Sequence, residues 1–268
     1  MNEVFAWRNA PKADFAVIGS PIAHSLSPKM HSAAFATNGL QATYIAIEVH
    51  AGEVHQALDH LATLGYRGVN VTVPHKEDAF RWCEETTEVA KRLHVCNTLD
   101  IQRRLGTNTD GEGFTKSLES YAFDNRQTIV LGAGGSARSV LDALQSQDWE
   151  IFLWNRTQSR AEELIHKFGF KATVIERPSL AGKSLIVNTT SASLGGDRLP
   201  LHWSEAAHSA LAYDLAYGKG LTPFLEDAHQ HALQVQDGRL MLMEQGAAAF
   251  EFWWDQPAPR KEMLAALQ

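Results

Sequence analysis

Polar side chains recur in the first half of the chain at the points where apolar stretches end. A lysine, Lys76, follows the strand-like run GVNVTV, and a carboxylate, Asp110, lies in the turn NTDGEG. An ammonium and a carboxylate are suited to proton transfer and to stabilising a developing charge. Uncharged hydrogen-bonding residues also lie where strands or turns end in this half, namely Ser25, Ser27, Asn70, Thr72, Asn97, Thr98 and Asn108. Such a set favours a small polyhydroxylated acid as ligand.

Each of these residues also has a purely structural explanation. Ser27 can be the N-cap of the helix that follows it, Asn70 can satisfy a backbone group, and Asp110 can cap the next helix. Lys76 can lie on a solvated helix face. Because all of these residues occur in one half of the chain, and a dinucleotide-type turn in the other, the combination favours a functional site.

That turn is the sequence VLGAGGSAR, Val130 to Arg138, which follows a strand-like run and opens a helix. In this context Gly132 makes the tight turn, Gly134 lets the backbone approach a pyrophosphate, and Ala137 permits close helix–strand packing. The amides of Gly135 to Ala137 then face an anion at a helix N-terminus. The alternative is a tight strand–helix turn with no ligand.

The next predicted strand ends in NRTQSRAEE, where the residue that contacts the adenosine ribose is expected. A carboxylate there would favour NAD, but the chain has Asn155, Arg156 and Thr157, with Arg160 one helical turn further. Guanidinium groups bind phosphate as rigid charged forks. The pattern therefore predicts NADP, with ion pairs to glutamates of the same helix as the alternative for the arginines.

The elements that must position these residues alternate between strand and helix. The runs DFAVIGSP, TYIAIEV and GVNVTV are strand-like and are separated by helical patterns; after the polar stretch CNTLDIQRRLGTNTDGEGF the alternation restarts. The predicted fold is therefore α/β with two domains. We expect a substrate domain with a mostly parallel sheet at residues 1–110, joined by the final helices at 242–268. A Rossmann-type NADP-binding domain is expected at 111–241.

Composition excludes several other classes of protein. The 268-residue chain has a net charge of −7, which argues against nucleic-acid binding. It has no apolar run near the roughly 18 residues of a membrane span and no secretory pattern at its start, so a cytoplasmic location is predicted. Its cysteines, Cys83 and Cys96, lack metal or redox spacing and are expected to be reduced thiols. The 12 histidines show no ligand set, and no metal is expected.

Taken together, the motifs resemble those of the shikimate dehydrogenase family. The matching stretches cover nearly the whole chain and are GSPIAHSLSPKMH, NVTVPHKE, TNTDGEGF, LGAGGSAR, NRTQSRAEEL, NTTSA, YDLAYGKGLTPFL and EQGAAAFEFW. The resemblance implies two α/β domains and the reversible reduction of 3-dehydroshikimate to shikimate with NADPH, in aromatic amino-acid biosynthesis.

The resemblance also implies a role for each matching residue. Lys76 and Asp110 would be the catalytic pair, and which of them donates the proton is left open. Ser25 and Ser27 would hold the substrate carboxylate with the help of Tyr217. The residues expected at the ring hydroxyls or the reacting centre are Thr72, Asn97 and Gln245. The implied cofactor-binding residues are Gly132, Ala133, Gly134, Gly135, Ser136, Ala137, Asn155, Arg156, Thr157, Arg160, Thr190, Leu215 and Leu240.

Three positions depart from the family pattern. Bulkier residues, His94 to Cys96, precede Asn97, and Leu240 stands where a glycine is common in the family. His75 replaces an apolar residue beside Lys76. Its side chain is expected to point away from Lys76, because neighbouring side chains on extended backbone alternate. The departures at His94–Cys96 and at Leu240 leave open a quinate/shikimate or aminoshikimate-type dehydrogenase. A second alternative is a non-catalytic metabolite-binding protein, against which the intact Lys76 and Asp110 count. The chain is expected to be a monomer or a homodimer.

Overall fold

The computed structural model describes residues 3–268 and divides them into two compact units. The first unit contains the chain up to Gly113 together with Leu242–Gln268, and the second contains Phe114–Met241. Both boundaries fall within helices, since Gly113 and Phe114 lie in one helix and Met241 and Leu242 in another.

The first unit is built on a seven-stranded sheet. Its strands are β1 (Val4–Ala6), β2 (Phe15–Gly19), β3 (Tyr44–Glu48), β4 (Gly68–Val71), β5 (Glu85–Thr86), β6 (Thr98–Asp100) and β7 (Leu105–Thr107). The helices between them are α1 (Ser27–Thr37), α2 (Val54–Thr63), α3 (Lys76–Trp82) and α4 (Glu88–Leu93). All residues of β2 and β4 are buried, as their β-branched and apolar composition predicts.

The strand order of this sheet is β1-β3-β2-β4-β6-β7-β5. The strands β1, β3, β2 and β4 are parallel, whereas β6 is antiparallel to both β4 and β7. Asn70 of β4 pairs with Thr98 at the start of β6, and Thr98 pairs with Thr107 at the end of β7. The residues before β6 and after β7 therefore arrive at the carboxyl end of β4.

Two local predictions for this unit were wrong. Ser27 is the first residue of α1 and not its N-cap, a position that Leu26 holds without a side-chain hydrogen bond. His75 has helical backbone angles, φ −95° and ψ −2°, so the alternation expected of extended backbone does not apply to it. Its buried ring instead hydrogen-bonds through Nε2 to the carbonyl oxygen of Val49 at 2.6 Å. His75 therefore has a packing role that local sequence cannot reveal.

The second unit is built on a six-stranded parallel sheet. Its strands are β8 (Gln127–Leu131), β9 (Glu150–Trp154), β10 (Ala172–Val174), β11 (Leu185–Asn188), β12 (Leu211–Asp214) and β13 (Gln234–Gln236). The remaining helices of the chain are α5 (Asp110–Ser117), α6 (Gly135–Ser146), α7 (Gln158–Phe168), α8 (Ala192–Gly195), α9 (Pro223–Gln230), α10 (Arg239–Trp254) and α11 (Arg260–Ala265).

The strand order of the second sheet is β10-β9-β8-β11-β12-β13. Counted along the chain this is the order 3-2-1-4-5-6, the doubly wound arrangement of dinucleotide-binding folds. Successive strands are added on opposite sides of β8, so the strand order reverses between β8 and β11, and ligands of such sheets bind beyond the carboxyl ends of the strands at that point. The glycine-rich turn follows β8, so it lies at this point. The α/β fold class predicted from the sequence is confirmed.

Candidate active site

A buried ion pair lies beyond the carboxyl end of β4 in the first unit. Lys76, the first residue of α3, places Nζ 2.6 Å from Oδ2 of Asp110, the first residue of α5. Only 11% of the lysine side chain and 6% of the aspartate side chain are exposed. A buried charge is costly unless it is paired and hydrogen-bonded. The two groups therefore hold each other in place, at a spot with little solvent to screen them.

Asn97 connects this ion pair to the segment that follows β7. Its Nδ2 donates to Oδ1 of Asp110 at 2.8 Å, to Oγ1 of Thr109 at 3.0 Å and to Oε1 of Gln245 at 3.2 Å. Its Oδ1 accepts from the backbone N–H of Thr109 at 2.9 Å. Asn97 is 2% exposed, so these partners are its environment. The carboxylate of Asp110 is thus held from one side by Lys76 and from the other by Asn97.

Asn70 supports Asn97 from the middle of the sheet. Its Nδ2 donates to the carbonyl oxygen of Asn97 at 3.1 Å and to Oγ1 of Thr98 at 3.0 Å. Its Oδ1 accepts from the hydroxyl of Tyr44 at 2.7 Å, and the Tyr44 ring stacks on His31 with centroids 4.5 Å apart. Asn70 therefore positions the backbone of Asn97 and takes no position of its own in the ion pair.

Two glycines let α10 bring Gln245 to this cluster. A Cβ added to Gly113 of α5 would lie 2.6 Å from the backbone N of Gln245. A Cβ added to Gly246 would clash with the terminal methyl of Met30 on α1. At Gly113 the close atom belongs to the backbone, so α10 packs against α5 at a position where only hydrogen fits, whereas at Gly246 the close atom is the end of a flexible side chain. This close packing fixes the backbone beside Gln245.

The predicted substrate serines and threonine lie at the ends of β2 and β4. Ser25 and Ser27 are buried, and the N–H of Ser27 donates to Oγ of Ser25 at 3.3 Å. Thr72 directly follows β4 and is half-buried, and a Cβ on Gly19 would lie 2.5 Å from its Cγ2. The strands β2 and β4 are neighbours in the sheet. The three residues therefore lie at the same sheet edge as Lys76.

The glycine-rich turn of the second unit has the local geometry expected from its sequence. Gly132 has φ +110°, and a Cβ there would lie 2.7 Å from Oγ1 of Thr189. Only glycine adopts this angle readily. Gly134 precedes α6, and a Cβ there would meet no atom within 4 Å. The turn is therefore close-packed beneath Gly132 and open above Gly134, where the first amides of α6 begin.

The two arginines after β9 are exposed. Among residues 3–268, neither Arg156 nor Arg160 forms an ion pair, and the nearby Glu162 instead accepts from Nε2 of Gln158 at 2.7 Å. The predicted alternative, pairing of the arginines with glutamates of α7, is therefore not seen. Asn155 donates through Nδ2 to the carbonyl oxygen of Thr157 at 2.7 Å. This leaves two cationic side chains beside the end of β9.

A buried carboxylate organises the loops after β11 and β12. Asp214 accepts through Oδ2 from the hydroxyls of Ser193 and Thr222, each at 2.6 Å, and through Oδ1 from Nδ2 of Asn188 at 3.1 Å. Burial raises the pKa of Asp214, against the lowering effect of these hydrogen bonds. Oδ1 of Asn188 in turn accepts from the hydroxyl of Thr190 at 2.7 Å. This network fixes the loop that carries Thr190.

Comparison with known proteins decides the family. Three family models match consecutive parts of the chain: the shikimate dehydrogenase substrate binding domain at residues 17–99, shikimate/quinate 5-dehydrogenase at 115–193, and the shikimate 5'-dehydrogenase C-terminal domain at 238–268. The NADP(+) shikimate dehydrogenase of Moorella thermoacetica is 40% identical over 263 residues, which cover 91% of this chain and 88% of that protein. This chain belongs to the shikimate dehydrogenase family.

Solved structures of the family have the same fold. The shikimate dehydrogenase of Aquifex aeolicus superposes with a TM-score of 0.89 at 33% identity, over 97% of this chain and 99% of that one. The enzyme of Thermus thermophilus, solved in complex with NADP(H) and shikimate, gives a TM-score of 0.86 at 34% identity, over 95% and 98% of the two chains. The resemblance drawn from the motifs is confirmed.

In this shikimate dehydrogenase family member, the structure brings four of the predicted residues into one hydrogen-bonded cluster: Lys76, Asp110, Asn97 and Gln245. Three further predicted residues of the second unit are half-buried: Leu215 and Tyr217 follow β12, and Leu240 lies in α10. Leu215 packs with its backbone against Gly238, where a Cβ would clash with the Leu215 carbonyl. The roles of all these residues stay predictions.

Several residues that support these sites are not identified by the sequence alone. Thr109 lies between two predicted residues, yet nothing in NTDGEG distinguishes it from a turn residue. The partners of Asn70 come from β3 and β6, and sequence spacing cannot indicate such long-range contacts. In the second unit, Asp214 is the last residue of the buried strand β12, and a carboxylate at the end of an apolar run is a signal that the sequence does contain.

Neither a membrane-spanning helix nor a metal-binding cluster occurs within residues 3–268. No helix there is long and apolar enough to cross a membrane. No group of three or more histidine, cysteine, aspartate or glutamate side chains in that range could hold a metal ion.

Proposed function

We propose that this chain catalyses the reversible, NADPH-dependent reduction of 3-dehydroshikimate to shikimate, a step of the shikimate pathway of aromatic amino-acid biosynthesis. The observation that carries the proposal is the buried Lys76–Asp110 ion pair, in which Asp110 also accepts a hydrogen bond from Asn97. The chain that contains this pair belongs to the shikimate dehydrogenase family. The curated relatives bear the name shikimate dehydrogenase (NADP(+)), and the pair lies among hydroxyls and amides suited to a polyhydroxylated acid.

The first unit is then the substrate domain and the second the NADP-binding domain. Ser25 and Ser27 would hold the substrate carboxylate with their hydroxyls, with Tyr217 as the further residue that the family pattern names. Thr72, Asn97 and Gln245 would bind ring hydroxyls. Each is neutral, so it can bind a hydroxyl without adding charge beside the reacting carbonyl.

The chemistry of the protein residues follows from the ion pair. Reduction of the C3 carbonyl builds negative charge on its oxygen, and an ammonium in hydrogen-bonding reach stabilises that charge and can donate a proton to it. Lys76 is the ammonium. Asp110 holds the Lys76 side chain in one orientation, and Asn97 holds Asp110, so little reorganisation accompanies the reaction.

NADP fits the residues of the second unit. The space above Gly134 is open at the start of α6, where amide groups favour a pyrophosphate. Arg156 and Arg160 are exposed and form no ion pair within residues 3–268, so they are free to bind a 2′-phosphate. The implied contacts of Ala133, Ser136, Thr157, Thr190, Leu215 and Leu240 belong to the same proposal. When bound, NADPH supplies the hydride for the C3 carbonyl.

The test is a turnover assay on the full-length protein. Shikimate and NADP+ are mixed with the protein, and the absorbance of reduced nicotinamide is followed. Quinate and NAD+ are run in parallel. We expect turnover with shikimate and NADP+ and much less with either substitute. Turnover of quinate without turnover of shikimate would overturn the substrate, and a preference for NAD+ would overturn the role of the arginines.

Two further properties remain predictions. A cytoplasmic location agrees with a biosynthetic role, and fractionation of cells with a membrane marker would test it. Size-exclusion chromatography with light scattering would distinguish a monomer from a homodimer.

A further inference from the structure

The sulfur atoms of Cys83 and Cys96 lie close together inside the first unit, beside Gly106. A Cβ added to Gly106 of β7 would lie 2.5 Å from the Sγ of Cys83 and 2.5 Å from the Sγ of Cys96. Cys96 is buried and Cys83 is half-buried, and both are free thiols. Two thiols from separate segments therefore meet above a glycine that has no side chain to separate them.

The fold accounts for this meeting. Cys83 follows the last residue of α3, with its Sγ donating to the carbonyl oxygen of Ala79 at 3.1 Å. Cys96 precedes β6, with its N–H donating to the carbonyl oxygen of Lys76 at 3.0 Å. Since β7 pairs with both β5 and β6, Gly106 lies between the two segments. One sulfur therefore lies at the end of α3, the helix that begins at Lys76, and the other lies on the residue before Asn97.

The environments of the two thiols differ in a way that sets an order of reaction. Cys83 is the partly exposed thiol and can meet a small reagent, whereas Cys96 is 0% exposed. Contact with Cys83 is the largest cause that raises the pKa of Cys96, and burial is the next. Because a small reagent reaches Cys83 and not the buried Cys96, Cys83 reacts first.

We propose that Cys83 and Cys96 form a dithiol site that hydrogen peroxide converts into an intramolecular disulfide. In the first step, Sγ of Cys83 attacks one peroxide oxygen, the O–O bond breaks, and water leaves, so that Cys83 becomes a sulfenic acid. In the second step, Sγ of Cys96 attacks the Cys83 sulfur, the S–O bond breaks, and a second water leaves with the Cys96 proton. Two thiols are oxidised by two electrons in total, and one peroxide is reduced to two waters.

Closure of the disulfide also affects the neighbouring site, a consequence that rests on the proposed function. A disulfide brings its sulfurs to about 2.05 Å, well inside the contact distance of two thiols. The end of α3 or the segment before Asn97 must therefore move. A misplacement of about 1 Å can lower a rate on the order of 100-fold. We expect the disulfide to lower the rate of shikimate oxidation at least about tenfold by this route.

The disulfide itself is tested by thiol counting and mass. Full-length protein is treated with hydrogen peroxide, the peroxide is removed with catalase, and free thiols are titrated after denaturation. We expect two thiols before treatment, none after, a mass lower by about two daltons for the lost hydrogens, and a Cys83–Cys96 cross-linked peptide. Two remaining thiols, or a gain of oxygen mass without a cross-link, would overturn the proposal.

Single variants test the order of the two steps. In Cys96→Ala, we expect a sulfenic acid at Cys83 that dimedone traps, because the second thiol is missing. In Cys83→Ala, we expect Cys96 to stay reduced, because it is buried. Equal oxidation of Cys96 in the absence of Cys83 would contradict the order proposed.

Turnover tests the coupling to the active site. Oxidised wild type should lose at least about tenfold in rate and recover it with dithiothreitol, while peroxide-treated Cys83→Ala should keep its rate. A disulfide that forms without loss of rate would overturn the coupling. If untreated wild type does not turn over shikimate, the proposed function fails, and the thiol count and mass still decide whether the disulfide forms.

Discussion

The two units prepare for their ligands in opposite ways. In the first unit, the charged groups are buried and already paired, with Lys76, Asp110 and Asn97 held by hydrogen bonds of 2.6 to 3.2 Å. In the second unit, the cations Arg156 and Arg160 are exposed and form no ion pair within the described range 3–268. A buried charge must be paired and hydrogen-bonded within the protein, whereas water solvates an exposed charge until a ligand binds it. The first site is therefore built before binding, and the second is completed by it.

The largest expected effect is on the buried pair. Lys76→Ala should lower kcat about 100- to 10,000-fold, the usual contribution of a positioned proton donor. The KM for shikimate should change by less than about tenfold, since the residues proposed to bind it, Ser25, Ser27 and Thr72, are unchanged. Steady-state kinetics measure both. Lys91→Ala, at an exposed lysine of α4, is the control and should leave kcat unchanged. An unchanged kcat in Lys76→Ala would remove the pair from the mechanism.

The exposed site should respond in KM and not in kcat. Replacing both Arg156 and Arg160 by Ala removes the two charge-assisted hydrogen bonds proposed to the 2′-phosphate and should raise the KM for NADP+ about 100-fold. The KM for NAD+, which lacks the 2′-phosphate, should stay the same. Arg177→Ala, at an exposed arginine of the same unit, is the matched control. A parallel rise in the KM for NAD+ would mean that the arginines do not distinguish the two cofactors.

The support beneath the buried site gives the next prediction. Asn70→Ala removes the donor to the Asn97 carbonyl and to Oγ1 of Thr98, and should lower the free energy of unfolding by about 1–3 kcal/mol. Because Asn97 then positions Asp110 less well, kcat should fall about tenfold with KM nearly unchanged. Denaturant unfolding and kinetics measure the two effects, and the exposed Asn9→Ala is the control. A change in KM alone would show that Asn70 binds substrate.

The smallest effect concerns pH. Burial lowers the pKa of His31 from 6.5 to about 3, against a raising effect of Asn70. The unfolded chain therefore binds a proton at His31 between those values while the folded chain does not, so stability falls as the pH falls through this window. From pH 7 to pH 5.5 the loss should be about 1 kcal/mol. His31→Phe keeps the ring against Tyr44 and should reduce this pH dependence. Equal slopes in both proteins would contradict it.

The sequence predicts the second unit better than the first. Gly132, Gly134 and Ala137 form a local motif, and the parallel strands around it are apolar runs separated by helices, so periodicity reveals them. The strands β6 and β7 are short, and they lie in a polar stretch that shows no strand pattern. Their antiparallel pairing brings Asn97 and Asp110 to Lys76, so local sequence indicates the residues of the pair and not the route by which they meet.

The same limit applies to single residues. Ser27 has the composition of an N-cap, but the helix begins at Ser27 itself, with Leu26 before it. His75 was expected on extended backbone and instead lies at the N-cap of α3, bonded to Val49. The contact of Cys83 with Cys96 depends on three strands and could not be predicted from their spacing. In each case tertiary packing decides, and propensity does not.

Gly106 couples the evolution of three positions. Its missing side chain provides the space in which the sulfurs of Cys83 and Cys96 lie. An alanine at this position would be tolerated only after one sulfur had been lost, and a sulfur lost first would leave a cavity that alanine could fill. In relatives of this chain, substitutions at positions 83, 96 and 106 should therefore occur together. The summed side-chain volume of the three residues should stay nearly constant, although each residue differs.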